Sequence, residues 1–305
     1  MDTRLFQVIK INSWEKLLEW AQENKKKKEE WVFRGVEDSK WGFETSLERA
    51  IKSFGVKTKD LPKTSDPEYQ LKKENLYRRV LKEGLGGYKV EELERGLIRK
   101  FKRQCHHYLP SLPEEDNIME WLALMQHYGA PTRLLDLTHS LFVGLYFALE
   151  QAKGECAVWA LNLTYMNKRV ESLIPSDDWE EIEDDRNLTT RRAFDLLFRR
   201  EPPVPLVCPI IPFRFNDRLV IQQGMFLCPG DVSIPFEDNL TAILNAPNFE
   251  GTLIKLVIED DSELRKDFLQ NLHHMNMNSA TLFPGLSGFA KSLRTLLVYP
   301  DILRP

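Results

Sequence analysis

The sequence predicts a single α+β domain, not a doubly wound parallel sheet. Helical and strand patterns interleave along the 305 residues with no regular βαβ period. There is no internal repeat, and the longest linker-like stretch is only the segment 55–67. A hydrophobic fraction of 42% beside 29% charged residues suits one sizeable core.

The elements follow in order. Asn12 or Ser13 can cap a helix over Trp14–Asn24, with Trp14, Leu17, Leu18 and Ala21 on one face. Residues 25–30 read as a solvated connection, and Trp31–Arg34 as a strand, aromatic and β-branched, closed by Gly35. Lysines, prolines and glycine make 55–67 an exposed loop or insertion. Asp66-Pro67 opens a helix that Gly84 or Gly86 ends. Val90–Tyr108 is a long amphipathic helix with Leu93, Leu97, Phe101, Cys105 and Tyr108 near one face.

Asn117–Tyr128 is a further helix, with Gly129 placed to end it in the left-handed conformation. Pro131 holds Ala130 extended, so the chain passes through a loop into a short buried strand at Leu134–Thr138. A polar turn then leads to an apolar helix ending near Ala152. Ala157–Leu161, Val204–Ile211, Leu219–Leu227 and Thr252–Ile258 read as strands, with a charged helical insertion at about 165–200 between the first two. Ser262–His274 and Leu286–Val298 supply the last helices.

A net charge of −4 argues against a dedicated nucleic-acid binder, although a local basic face is compatible with it. Cys105, Cys156, Cys208 and Cys228 are widely spaced without a CxxC pair, which favours buried free thiols over a zinc site and fits a reducing cytoplasm. Neither a signal-type apolar run nor a membrane-length one is visible, so the expectation is a soluble cytoplasmic protein.

Polar residues placed inside apolar segments are the candidates for chemistry, because burial is costly unless each polar group finds a partner or a ligand. Arg34 ends a strand that otherwise reads as core, and Gly35 lets a backbone turn or a ligand approach. A guanidinium forks onto phosphate or carboxylate; the other reading is a buried pair with a carboxylate such as Asp136. The stretch His127-Tyr128-Gly129-Ala130-Pro131-Thr132-Arg133-Leu134-Leu135-Asp136-Leu137-Thr138 crowds a turn with polar groups. Asp136 or Thr138 can cap the helix that follows. Two arginines, a His-Tyr pair and a helix N-terminus together have the makings of a diphosphate pocket. Gln222 and Gln223 form the third candidate, since a buried amide needs several partners. Phe283-Pro284-Gly285-Leu286 reads as an apolar turn packed under a helix.

Other signals are discounted. Gly86-Gly87 lacks the Lys-Ser/Thr of a phosphate loop, Glu180–Asp185 is a solvated acidic face, and His273-His274 is a surface pair at a helix end. No metal site and no nucleophile-His motif is expected.

The motifs resemble those of the bacterial FRG-domain family. The Phe33-Arg34-Gly35 word, the Gln126–Thr138 word, Arg218-x-x-x-Gln222-x-Gly224-x-Phe226 and Leu282-Phe283-Pro284-Gly285-Leu286 recur in the family's order over roughly residues 15–300. A second resemblance is to ADP-ribosyltransferases of the arginine-first class. Their first core strand ends in aromatic-Arg-Gly holding the NAD phosphates, as Phe33-Arg34-Gly35 resembles. Their next word leads a strand into an apolar helix, as Leu135–Thr138 does before Phe147-Ala148.

That resemblance implies a split, mostly antiparallel sheet and NAD as substrate. Arg34 and Arg133 would hold the diphosphate, with Gly35, Thr132, Asp136 and Thr138 completing the binding site and Asp136 fixing one arginine. His127, Tyr128 and Gln222 would be the catalytic group, Tyr128 stacking on nicotinamide and His127 and Gln222 orienting the ribose. Where the family has a late-strand Glu this chain has an amide, which is no general base; Glu201 or Glu237 could substitute if the fold brings them close. The function implied is ADP-ribose transfer or NAD cleavage in a toxin or phage-defence effector, acting on a macromolecular acceptor. The alternative is a non-enzymatic sensor binding a nucleotide-like small molecule or a protein; a nucleic-acid enzyme is disfavoured by the charge.

Overall fold

The computed structural model describes residues 5–26, 28–55, 67–173, 197–198, 201–212, 217–245 and 250–296. Residues 56–66 of the expected 55–67 loop and most of the charged insertion expected at about 165–200 lie outside them.

One seven-stranded open sheet organises the chain, in the order β1-β7-β4-β2-β3-β6-β5. The strands are β1 (Gln7–Ile11), β2 (Trp31–Val36), β3 (Leu135–Thr138), β4 (Cys156–Asn162), β5 (Val207–Ile210), β6 (Gly224–Pro229) and β7 (Leu253–Ile258). Only β1 and β7 run parallel; every other neighbouring pair is antiparallel. Strand β4 lies inside the sheet with both faces covered, and all of its residues are buried.

Helices cover both faces. On one side α1 (Trp14–Lys26), α6 (Leu141–Leu149) and α10 (Ser262–His274) bury Leu17, Trp20, Leu145, Phe268 and Leu272 against the sheet. On the other, α4 (Val90–Cys105), α5 (Ile118–His127), α7 (Leu163–Glu171) and α9 (Phe236–Leu244) contribute Ile98, Leu122, Met166 and Leu240. A small third cluster joins α2 (Ser46–Gly55) to α3 (Pro67–Glu83) through Leu47, Ile51, Tyr77 and Leu81. It is pinned by buried Glu48, whose Oε1 accepts from Tyr77 Oη (2.9 Å) and Phe236 N (2.8 Å). Burial pushes the Glu48 carboxyl pKa up, against those donors.

Local chemistry explains most boundaries. Ser13 Oγ accepts from Lys16 N at the start of α1, and Asn117 caps α5 by accepting from Glu120 N. Gly129 follows α5 at φ 78°, the left-handed conformation that ends it. Helix α4 is shorter than expected, ending at Cys105.

Several expectations are corrected. The apolar run at 219–227 is not one strand: its first half is the short helix α8 (Asp217–Ile221), ended by Gln223 at φ 48°, and only Gly224–Pro229 is extended. A β-branched run this short fits either state. The cap of α6 is Ser140, accepting from Val143 N, and neither Asp136 nor Thr138. Gly35 does not close β2, which continues to Val36. Edge strand β1 and helix α9 are additions to the elements expected from the sequence. The C-terminal part is completed by α11 (Ser279–Leu282) and α12 (Leu286–Leu296).

Candidate functional site

Strand β2 pairs with β4 along its whole length but with β3 at one position, Phe33 opposite Thr138. Past that point β2 and β3 part, and Arg34 stands at the parting. Strand alternation gives it the face of Val32 and Val36. Its Nη1 donates to the main-chain oxygen of Asp136 at 2.9 Å. Its Nε is buried and has no hydrogen-bond partner among the described residues. Burial lowers the guanidinium pKa, Asp136 opposes that shift, and Arg49 adds to it. A guanidinium binds its proton too tightly to lose it here, so the shift marks a charge held at a cost.

Around Arg34 three segments are knotted together. Asp136 is the exposed residue of β3 between buried Leu135 and Leu137. Its Oδ2 accepts from Gln126 Nε2 at 2.7 Å, and Gln126 Oε1 accepts from the Thr132 hydroxyl at 2.5 Å. Thr132 N donates to Ser46 Oγ (2.9 Å), and Thr132 O accepts from Leu47 N (3.0 Å), fixing the loop to the first turn of α2. That turn is a capping box: Glu48 N donates to Thr45 Oγ1 and Thr45 N to Glu48 Oε2. It brings the exposed Arg49 within electrostatic reach of Arg34, with Arg49 Nη1 on Glu44 O at 2.7 Å. Gln126 and Arg49 were missed: Gln126 stands in the central motif, where its link to Asp136 needs the third dimension, and Arg49 reads as an ordinary exposed helix residue.

Arg133 is not beside Arg34 as a second phosphate arm. It is buried, with Nε on Glu94 Oε1 (2.7 Å) and Oε2 (3.0 Å) and Nη2 also on Glu94. Nη1 donates to Leu197 O (3.0 Å) and Pro229 O (3.3 Å), and Phe198 covers the plane at 4.4 Å. Every arm is engaged, and Glu94 outweighs burial to raise the pKa. The residue is a core ion pair between α4 and the 130–134 loop.

Other expectations are corrected likewise. A Cβ on Gly35 would lie 2.0 Å from Gly144 O and 2.5 Å from Ala148 N, so the missing side chain admits α6, not a ligand. Thr132 is buried with its N–H, O–H and C=O all in use. Thr138 is buried and donates to Gln222 O at 2.6 Å. Gln222 follows a helix; its Nε2 donates to Leu282 O at 2.9 Å, which ties α8 to α11. The carboxylate of Asp136 holds Gln126, and it is the backbone of Asp136 that holds Arg34.

His127 and Tyr128 lie together at the end of α5, rings 4.8 Å apart and edge to face. Burial lowers the His127 pKa, and the charge of Arg218 lowers it further. Arg218 itself lies over Phe283 at 4.7 Å. Tyr128 is 57% exposed and lines an apolar groove with Met125 and Pro131. Glu237 is at the Gly42–Phe43 turn, accepting from Phe43 N at 3.2 Å, and Glu201 is exposed ahead of β5. No three His, Cys, Asp or Glu side chains assemble as a metal ligand set among the described residues.

Residues 29–156 match the family model described as the FRG domain, a span that contains Arg34, Gln126, Thr132, Arg133 and Asp136 but not Gln222. No curated protein and no solved structure matches the chain.

Proposed function

We propose that this chain, whose residues 29–156 form an FRG domain, binds NAD at the parting of β2 and β3, with Arg34 as the diphosphate anchor, in the manner of an ADP-ribosyltransferase. One observation carries the reading: a buried guanidinium nitrogen, Arg34 Nε, without a partner among the described residues. Buried polar groups are rarely left unsatisfied in a native site unless a ligand or function uses them. Arg49 supplies a second cation on the same side, and the split between the strands is where the resemblance to arginine-first transferases puts the nucleotide.

In this reading Asp136, exposed and oriented by Gln126, takes the role of the carboxylate. As the bond between ribose and nicotinamide breaks, the electron pair leaves with nicotinamide, and a carboxylate stabilises the positive charge left on the ribose. Water as acceptor gives NAD cleavage; a macromolecular nucleophile gives transfer, the activity of a toxin or defence effector.

A second reading, a sensor that binds a nucleotide without cleaving it, is favoured by Gln222: the late position is an amide, and it is spent on Leu282 O.

The test is calorimetric titration with NAD and ADP-ribose beside chromatographic detection of nicotinamide. Binding with nicotinamide release supports the enzyme, and binding of intact NAD supports the sensor. No heat and no nicotinamide would remove both.

A further inference from the structure

Helix α4 carries two apolar stripes, and only one is fully buried by the fold. Val90, Ile98 and Cys105 are buried, together with Glu94 for its pairing with Arg133. The stripe of Leu93, Leu97 and Phe101, continuing to Tyr108, is only partly covered: Phe101 packs on the core and stands edge-on to Trp121 at 6.5 Å, while Leu97 is 36% and Tyr108 82% exposed. On one side of it lies a groove of about 500 Å³ against Met125, Tyr128 and Pro131. On the other lies a groove of about 780 Å³ against Leu47, Ile51 and the exposed Phe54. Leu97, Lys100 and Pro131 line both, so the two form one trough across the helix.

Its rim is basic. Arg95, Arg99 and Lys100 line the trough with a single carboxylate, Glu92, and Arg103 is exposed on the turn beyond them. No salt bridge engages the four cations among the described residues. No Asp or Glu occurs between Glu94 and Glu114. The local sign is opposite to that of the whole chain, whose net charge is −4.

We infer that this trough is a docking surface for an acidic amphipathic segment of a protein partner, laid along α4. The floor mixes aliphatic Leu47, Leu93, Leu97 and Met125 with aromatic Phe54, Tyr88, Phe101, Tyr108 and Tyr128 and offers few polar groups to meet base edges. This suits side chains of Leu or Phe type between acidic flanks; stacking of nucleotides on the aromatics is what the oligonucleotide control tests. A continuous apolar patch rimmed by one sign of charge is the signature of an interface, and exposed Tyr at its edge suits it. The charge on the rim selects acidic flanks on the partner. The inference is independent of the nucleotide reading.

The probe is a fluorescein-labelled amphipathic peptide of about 16 residues, long enough to span α4, with Leu at helical spacing and Glu elsewhere. Its controls are the same peptide with Lys for Glu and a single-stranded oligonucleotide of similar length. Anisotropy should show binding of the Glu peptide that weakens with salt, and negligible binding of the Lys peptide. Leu97→Glu, and separately the pair Arg99→Glu and Arg103→Glu, should each weaken binding by about tenfold or more. The arginine pair changes only exposed side chains, so it decides the matter if Leu97→Glu alters the circular dichroism. The proposal is overturned if the Glu peptide does not bind, if the Lys peptide or the oligonucleotide binds as well or better, or if the arginine pair binds like wild type. Self-association lost on Leu97→Glu would also overturn it, giving the face to a second copy.

Discussion

Arg34 is held by the main chain of Asp136 and not by its carboxylate: Nη1 donates to the Asp136 carbonyl at 2.9 Å, while Oδ2 accepts from Gln126. A buried ion pair between the two would have neutralised both groups. Instead a cation with an unused Nε stands beside an exposed carboxylate. One group can meet an anion while the other faces developing positive charge.

Arg34→Met should therefore cost no stability and raise it by about 1 kcal/mol, because it removes an unsatisfied buried donor and fills the same volume. Arg34→Lys keeps the charge but loses the fork, and should hold the melting temperature within a few degrees. Both variants should lose the heat of NAD or ADP-ribose binding. A large drop in melting temperature for Arg34→Met would return Arg34 to the scaffold.

The sequence announces Arg34 and Asp136 because each interrupts an apolar strand, and strand alternation is a local property. What it cannot announce is the direction of a side chain leaving a loop. Arg133 follows Thr132 in a polar word, yet it turns inward to Glu94, which lies thirty-nine positions away on the buried side of α4. The α4 stripe is only half right: of Leu93, Leu97, Phe101, Cys105 and Tyr108, Cys105 is buried and Phe101 packs on the core, while the helix turns Val90, Glu94 and Ile98 inward instead of Leu93, Leu97 and Tyr108. Leu219-Val220-Ile221 has strand composition, and its helix is decided by the backbone of Gln223.

Breaking the Arg133–Glu94 pair from one side should be severe. Arg133→Met leaves a buried carboxylate, and Glu94→Leu leaves a buried guanidinium, each costing about 3–5 kcal/mol. The double substitution should recover most of the loss, since a well-packed apolar pair often replaces a buried ion pair without penalty. Urea denaturation of the two single variants and the double variant gives the coupling; equal additive losses would show that the pair is not what holds the loop to α4.

Gly35→Ala forces a methyl to within 2.0 Å of Gly144 O, which is backbone and cannot swing away. The contact between β2 and α6 should open at a cost of about 1–3 kcal/mol. Gly129→Ala has open space and pays only for its φ of 78°, about 1 kcal/mol. Thermal unfolding should rank Gly35→Ala as the worse of the two; the reverse order would mean that the strand–helix contact is loose.

The pH dependence should carry the mark of His127. Burial, and then the charge of Arg218, lower its pKa from the ordinary 6.5, so the folded state favours the neutral ring. The unfolded chain binds the proton at higher pH than the folded one, and stability therefore rises with pH across that interval. The contribution is fully present above about 6.5 and is lost as pH falls through the lowered folded value. Melting temperatures from about pH 5 to 8 should show this slope, flattened in His127→Asn. Arg218→Gln should move the His127 ring titration, followed by NMR, back toward the ordinary value without abolishing the effect of burial. A titration unchanged by Arg218→Gln would show that Arg218 exerts no field on the ring, and burial alone would then account for the shift.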